Sequence, residues 1–231
     1  YKGQYDDEGR ARYLKAIAGL EFGDSPAQGL VRGRNFYHAP LGFALTAPAG
    51  WQVVNGSEQL AVVNAARDAA MVLRPVPPAA GKTHAEILRN VFKPTQGNTE
   101  AAQINGLGAT RFTGLRANSQ GQQVAVQATV VSGPGDATYL LQFSGKDAQA
   151  MQRAAASLRE AEGSFRAMTA QDRAAAKPWA IRTVAYPKGG FAELAKASPL
   201  ANAQQQLRLI NGFYAGGEPK PGQLVKVVEA L

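Results

Sequence analysis

The sequence predicts an α+β fold: an antiparallel sheet with helices on one face, followed by a small β-α-α-β domain. Three observations point to it. Across residues 34–167 the apolar residues change from helical spacing to alternation with a period of two. Two helical stripes interrupt those strands, and helices inserted into antiparallel runs must bury their stripes on a sheet. Beyond Lys177-Pro178 the order becomes strand, helix, helix, strand. The implied organisation is an N-terminal helix and connector (1–33), a strand-rich α+β domain (34–167), a linker (168–178) and a small C-terminal domain (179–231).

In chain order, residues 6–20 begin with acidic side chains and carry Tyr13, Leu14, Ile17 and Leu20 at helical spacing, so they predict an amphipathic helix that docks on whatever follows. Residues 21–33 hold three glycines and a proline and form a connector. Residues 35–38 and 43–47 flank Ala39-Pro40-Leu41-Gly42 as a hairpin, and Trp51 opens the next strand toward the Asn55-Gly56 turn. Ile104-Asn105-Gly106-Leu107 predicts a type I′ hairpin, because Asn and Gly tolerate the positive φ it demands. Val124, Val126, Ala128 and Val130 mark one strong strand and Tyr139, Leu141 and Phe143 the next, paired antiparallel.

Helices are predicted over 83–92, where Thr83 and Glu86 form a capping box, and over 147–162, with an apolar stripe of Met151, Ala154, Ala155, Leu158 and Ala161. Glu160 and Glu162 then read as solvated charge, as do Asp6, Asp7 and Glu8 near the first helix start.

Composition bounds the function. With 45% hydrophobic and 18% charged residues the chain is an ordinary folded protein, not a disordered one. Zero cysteines exclude disulfides, thiolate metal sites and Cys nucleophiles. The net charge of +8 suits anionic polymers. It is spread along the chain, without a basic cluster interleaved with aromatics, which argues against nucleic acid as a partner. No apolar run is long enough to span a membrane. The chain opens on a polar stretch without Met, so a signal or anchor is expected upstream.

The last segment resembles LysM. The resemblance is carried by Arg182-Thr183-Val184 for the first strand, Phe191-Ala192-Glu193-Leu194-Ala195 for the first helix and Leu207 to Gly212 for the end of the second. Lys220-Pro221-Gly222-Gln223-Leu224-Val225-Lys226-Val227 matches the closing strand. It implies that two loops on one side present backbone groups to N-acetyl and hydroxyl groups of a wall glycan. The matching binding positions are Pro187, Lys188, Gly189, Gly190 and Phe191 in one loop, and Asn211, Gly212, Phe213 and Tyr214 in the other. Lys188-Gly189-Gly190 departs from the usual Gly-Asp-Thr signature and supplies neither its carboxylate nor its hydroxyl. Docking within a larger protein is therefore the alternative to binding peptidoglycan.

A second resemblance covers the preceding region. Gly23-Asp24-Ser25-Pro26, Gly29-Leu30-Val31-Arg32-Gly33-Arg34, Phe36-Tyr37-His38-Ala39-Pro40-Leu41-Gly42-Phe43 and Pro48-Ala49-Gly50-Trp51 look like the part that follows the protease domain in bacterial zinc metallopeptidases of the HtpX and CAAX-prenyl-protease type. It implies a non-catalytic C-terminal region in the periplasmic part of the bacterial cell envelope that positions or regulates an upstream protease domain. Zinc is expected in that catalytic domain, not in this chain. A free-standing peptidoglycan or envelope binding module is the alternative, and a small-ligand domain with a cavity between sheet and helices is the third.

The residues themselves favour binding over catalysis. A zinc helix needs two His four apart with a Glu beside the first, and only His38 and His84 occur, each followed by Ala. His38 reads as a turn residue and His84 as a solvated one. Ser132-Gly133-Pro134-Gly135 is a loop, not a nucleophile elbow. No catalytic residue, metal ligand or cofactor is assigned.

Overall fold

The computed structural model describes residues 8–231. Its helices and strands are α1 (Glu8–Ile17), β1 (Leu30–Arg32), β2 (Asn35–His38), β3 (Phe43–Thr46), β4 (Trp51–Asn55), β5 (Leu60–Asn64), β6 (Ala69–Pro75), α2 (His84–Phe92), β7 (Gln96–Ile104), β8 (Leu107–Ala117), β9 (Gln123–Ser132) and β10 (Thr138–Gly145). There follow α3 (Ala148–Gly163), β11 (Arg166–Ala167), α4 (Ala170–Ala175), β12 (Trp179–Ala185), α5 (Gly190–Ala195), α6 (Ala203–Ile210) and β13 (Leu224–Ala230). Asp6 and Asp7 of the expected acidic helix start lie outside the described residues. The chain forms two compact units, Pro26–Ala176 and a second made of the N-terminal residues to Ser25 with Lys177–Leu231.

The larger unit is α+β. Its main sheet has seven antiparallel strands in the order β4-β5-β6-β10-β9-β8-β7, and β1-β2-β3-β11 form a smaller sheet. The Asn105-Gly106 turn forms as expected, with φ of 49° and 82°, and sets Ile104 opposite Leu107. Asn105 Nδ2 also donates to the carbonyls of Gly163 and Phe165 at 2.8 Å each, tying this hairpin to the end of α3. Phe112 of β8 lies across Gly97 and Gly114, where an added Cβ would come within 2.5 Å of the ring. Side chains at those two positions would displace it.

The helices do not share one face, contrary to expectation. Ile87, Leu88 and Phe92 of α2 pack on Phe112, Val126, Ala128, Val130 and Leu140. Ala154, Leu158 and Ala161 of α3 pack instead with Val131, Tyr139 and Leu141, and Phe36, Phe43 and Leu45 of the small sheet join that second core. Because side chains alternate across a strand, Leu140 and Leu141 face opposite sides, so both faces are apolar and each needs a cover. Full burial of side chains such as Phe36, Phe165 and Met71 contributes about 1.5–3 kcal/mol each.

Both helices are capped locally. Thr83 Oγ1 accepts from Glu86 N while Glu86 Oε2 accepts from Thr83 N, the expected capping box. Asp147 Oδ1 accepts from Ala150 N at 2.7 Å to start α3. Residues 168–176 of the expected 168–178 linker fold into this unit, with α4 as a short helix. Arg166 of β11 grips Asp172 of α4 at 2.6 Å, Thr169 and Asp172 form a second capping box, and Met168 is buried with Tyr37 and Ala44.

In the smaller unit β12 pairs antiparallel with β13 from Trp179↔Ala230 to Ala185↔Leu224. Tyr186, Phe191, Leu207, Val225 and Val227 form its core. The N-terminal segment, expected to dock on the domain that follows it in sequence, belongs here. Gly19 N donates to Ile181 O at 2.8 Å, Ile181 N to Leu20 O at 2.9 Å and Phe22 N to Trp179 O at 2.8 Å. The free edge of a two-stranded sheet leaves backbone groups without partners, and this segment supplies them. Leu14 is buried and Arg10 donates to Leu224 O, so α1 is packed as part of the unit.

Candidate functional site

The two loops named from the sequence adjoin each other in the smaller unit. The first is a tight turn in which Gly190 N donates to Pro187 O at 3.1 Å and Gly190 takes φ of 69°. Gly189 N donates to Glu193 Oε2 at 3.1 Å, and a Cβ on Gly189 would stand 2.3 Å from that oxygen. The turn is thus built for glycine at the point where the sugar-binding signature carries other side chains. The second loop leaves α6 through Asn211-Gly212, and Phe213 brings the two together by packing on Phe191 with ring centroids 6.0 Å apart.

Two of the nine positions hold the loops from within. Phe191 is fully buried, edge-on to Tyr186 at 5.0 Å. Asn211 is buried at the seam between α6 and β13: its Nδ2 donates to Leu207 O and Lys226 O, and its Oδ1 accepts from Lys226 N, all within 2.9 Å. Pro187, Gly190 and Phe213 are half-buried, whereas Lys188, Gly189, Gly212 and Tyr214 face solvent. Tyr214 is 77% exposed, the most exposed large apolar side chain among the described residues.

Sequence reasoning missed the clasp beside this surface. Glu218 accepts from the Tyr186 hydroxyl and from Arg208, and Arg208 Nη2 donates to Gly217 O at 2.8 Å. Phe191 N donates to the Tyr186 oxygen at 3.2 Å, so one phenol links both loops. The signal available was weak: an Arg on a helix and a Glu in a Gly-Gly-Glu loop, ten residues apart, read as ordinary surface charge. The arrangement fixes a shallow surface of backbone groups, one lysine and one exposed ring. It presents no nucleophile with a base.

The remaining expected positions lie in the larger unit. His38 acts as a turn residue, its Nδ1 accepting from Leu41 N while the ring stacks on Phe43; burial pushes its pKa down. His84 is half-buried and bonded on both ring nitrogens, not simply solvated. Its Nδ1 lies 2.9 Å from Thr110 Oγ1 and its Nε2 3.0 Å from Ser132 Oγ, and burial lowers its pKa as well. The expectation failed because both hydroxyls come from strands distant in sequence.

Glu162 overturns its expectation as solvated charge more sharply. Its side chain is 1% exposed, paired with Arg111 Nε and Nη2 at 3.1 Å each and accepting from Thr129 Oγ1 at 2.6 Å. The carboxylate in turn raises the Arg111 pKa through those hydrogen bonds. A groove of about 270 Å³ between α3 and the sheet is lined by Arg111, Arg159, Glu100 and Glu162, so its formal charges cancel. Among the described residues no three His, Cys, Asp or Glu side chains converge as a metal-binding group. No helix among them is long and apolar enough to cross a membrane.

No protein-family model matches the chain, and no curated protein is similar to it in sequence. Solved structures show a distant likeness. One is the crystal structure of LpqN, involved in cell envelope biogenesis of Mycobacterium tuberculosis, at 15% identity and a TM-score of 0.39, covering 69% of this chain and 96% of that one. Another is the solution structure of cyanobacterial PsbP (CyanoP) from Synechocystis sp. PCC 6803, at 14% identity and a TM-score of 0.39, covering 64% and 99%.

Proposed function

We propose that this chain is a non-catalytic binding region of a bacterial cell envelope protein, and that its smaller unit docks on peptidoglycan. The observation that carries the reading is Tyr214, 77% exposed on a loop anchored through Phe213 against Phe191. An aromatic ring held out on an ordered loop offers its face to a sugar ring, while the adjoining turns offer backbone N–H and C=O groups to N-acetyl and hydroxyl groups. The LysM-like order of elements and the net positive charge are compatible with a wall polymer. The resemblance to HtpX-type zinc metallopeptidases extends the proposal: the parent protein would carry its zinc and its catalysis in an upstream domain, which this chain positions or regulates.

Sedimentation with insoluble peptidoglycan tests the docking. The intact chain is expected to co-sediment at both low and high salt, and Tyr214→Ala to weaken retention by about tenfold, the equivalent of ~1.4 kcal/mol. Retention that vanishes with salt marks basic adhesion and overturns the reading. Equal retention of the variant, or binding only to an isolated protease domain, overturns it too.

A further inference from the structure

The larger unit contains a second cleft, unrelated to the loops above. It has a volume of about 190 Å³, and its walls include Phe36, His38, Phe43, Leu60, Leu73 and Tyr139. Phe36, Phe43, Leu60 and Leu73 are buried, and Leu41, an exposed apolar residue, also lines the opening. Aromatic walls of this kind accept rings, since offset and edge-on contacts with Phe43 and Phe36 are available to a planar ligand.

Tyr139 distinguishes this cleft from ordinary surface relief. It is 0% exposed, its ring packs on Phe43 at 5.0 Å and Phe165 at 5.5 Å, and its hydroxyl has no hydrogen-bond partner among the described residues. Gly133 makes room for it: a Cβ there would meet the Tyr139 ring at 2.3 Å. A buried phenol without a partner is a persistent cost to the fold, and phenylalanine would fill the same space without it. Burial also holds the Tyr139 pKa up, so the group stays a neutral donor.

His38 adds a second polar group to the wall. Because Nδ1 accepts from Leu41 N at 3.3 Å, the neutral ring carries its proton on Nε2. Glu58 is the charged residue of the lining, and no Lys or Arg accompanies it. An anion entering here would meet a carboxylate and no compensating cation.

We propose that this cleft binds a small neutral ligand with a planar apolar ring and one hydrogen-bonding group, which pairs with the Tyr139 hydroxyl. The ring lies among Phe36, Phe43 and Leu73, and the side chains over Tyr139 yield by the small amount needed to reach the phenol.

Phenol and benzoate, titrated into the full chain and followed by amide and aromatic NMR shifts, test it. Phenol is expected to give saturable shifts at the cleft residues in the millimolar range, with benzoate weaker by about tenfold or more. Tyr139→Phe is expected to raise Tm by a few degrees while weakening phenol by about fivefold, a pairing that loss of a merely structural residue would not produce. Ser57→Trp, on an exposed position of the lining, blocks binding without touching the core. Non-saturating phenol shifts, equal affinity for benzoate, undiminished binding by Tyr139→Phe, or indifference to Ser57→Trp would each overturn the proposal. None of these readouts involves the peptidoglycan surface, so the two proposals fail separately.

Discussion

The two units solve the same problem, satisfying buried polar groups, by opposite means. In the larger one a carboxylate is buried outright: Glu162 of α3 lies under the sheet with Arg111 of β8 and Thr129 of β9 as partners. Apolar cores on both faces of a seven-stranded sheet supply the stability that such burial draws on. In the smaller one the buried polar side chain is neutral, Asn211, and it serves the backbone. Two strands cannot hold themselves together in water, so this unit also recruits the start of the chain to cover its edge. The difference teaches where each is vulnerable: the larger unit at its buried charge pairs, Glu162 with Arg111 foremost, the smaller at contacts between the two ends of the chain.

Breaking the charge centre should have the largest effect. Arg111→Met leaves Glu162 buried with only Thr129 and the more distant Arg159, 3.7 Å away, and is expected to cost about 3 kcal/mol. Urea unfolding followed by a probe in the larger unit, the near-UV signal of its tyrosines and Trp51, would read it. The smaller unit's transition should stay put.

Leu14→Ala is the converse test. It removes a buried side chain that α1 brings to the smaller unit and is expected to cost about 2–3 kcal/mol there, read by Trp179 fluorescence, with the other transition unmoved. A uniform loss in both transitions would mean that the units do not unfold separately, and the comparison would lapse.

The smallest expected effect concerns acid. Burial pushes the Asp172 pKa up, but hydrogen bonds from Arg166 and Thr169 outweigh it and hold the group below its ordinary value of 3.8. A folded-state pKa below the unfolded one contributes stability that is present above the unfolded value and is lost as pH falls through the folded one. Asp172→Asn should therefore lower stability at neutral pH and flatten its decline in acid, measured as unfolding free energy against pH. An unchanged slope would remove Asp172 from the acid response of the larger unit.

Local features were legible in the sequence. The Asn105-Gly106 turn and the Thr83–Glu86 capping box are set by residues within four positions of one another, and the chemistry of each pairing is visible in one window. The loops around 187–191 and 211–214 could likewise be located, because Gly and Asn punctuate the helices there. Glu162 could not be read correctly. Its partners stand 51 and 33 residues away, and an acidic residue at the end of a helix has no local mark of burial. His84, bonded to hydroxyls 26 and 48 residues distant, escaped for the same reason.

By itself the sequence determined the α+β class, the Asn105-Gly106 turn, the strands around 35–38, 43–47, 124–130 and 139–143 and the order of elements in the C-terminal module, since these follow from periodicity and turn chemistry over short spans, whereas the strand at Leu30–Arg32 fell in the expected connector. Tertiary structure alone decided that α2 and α3 cover opposite faces, that the first helix belongs with the last strands, and that Glu162 and Tyr139 are buried, one paired and one unpaired. Each of those outcomes depends on which distant segments meet, and alternation along a strand records that a face is apolar without recording what will cover it.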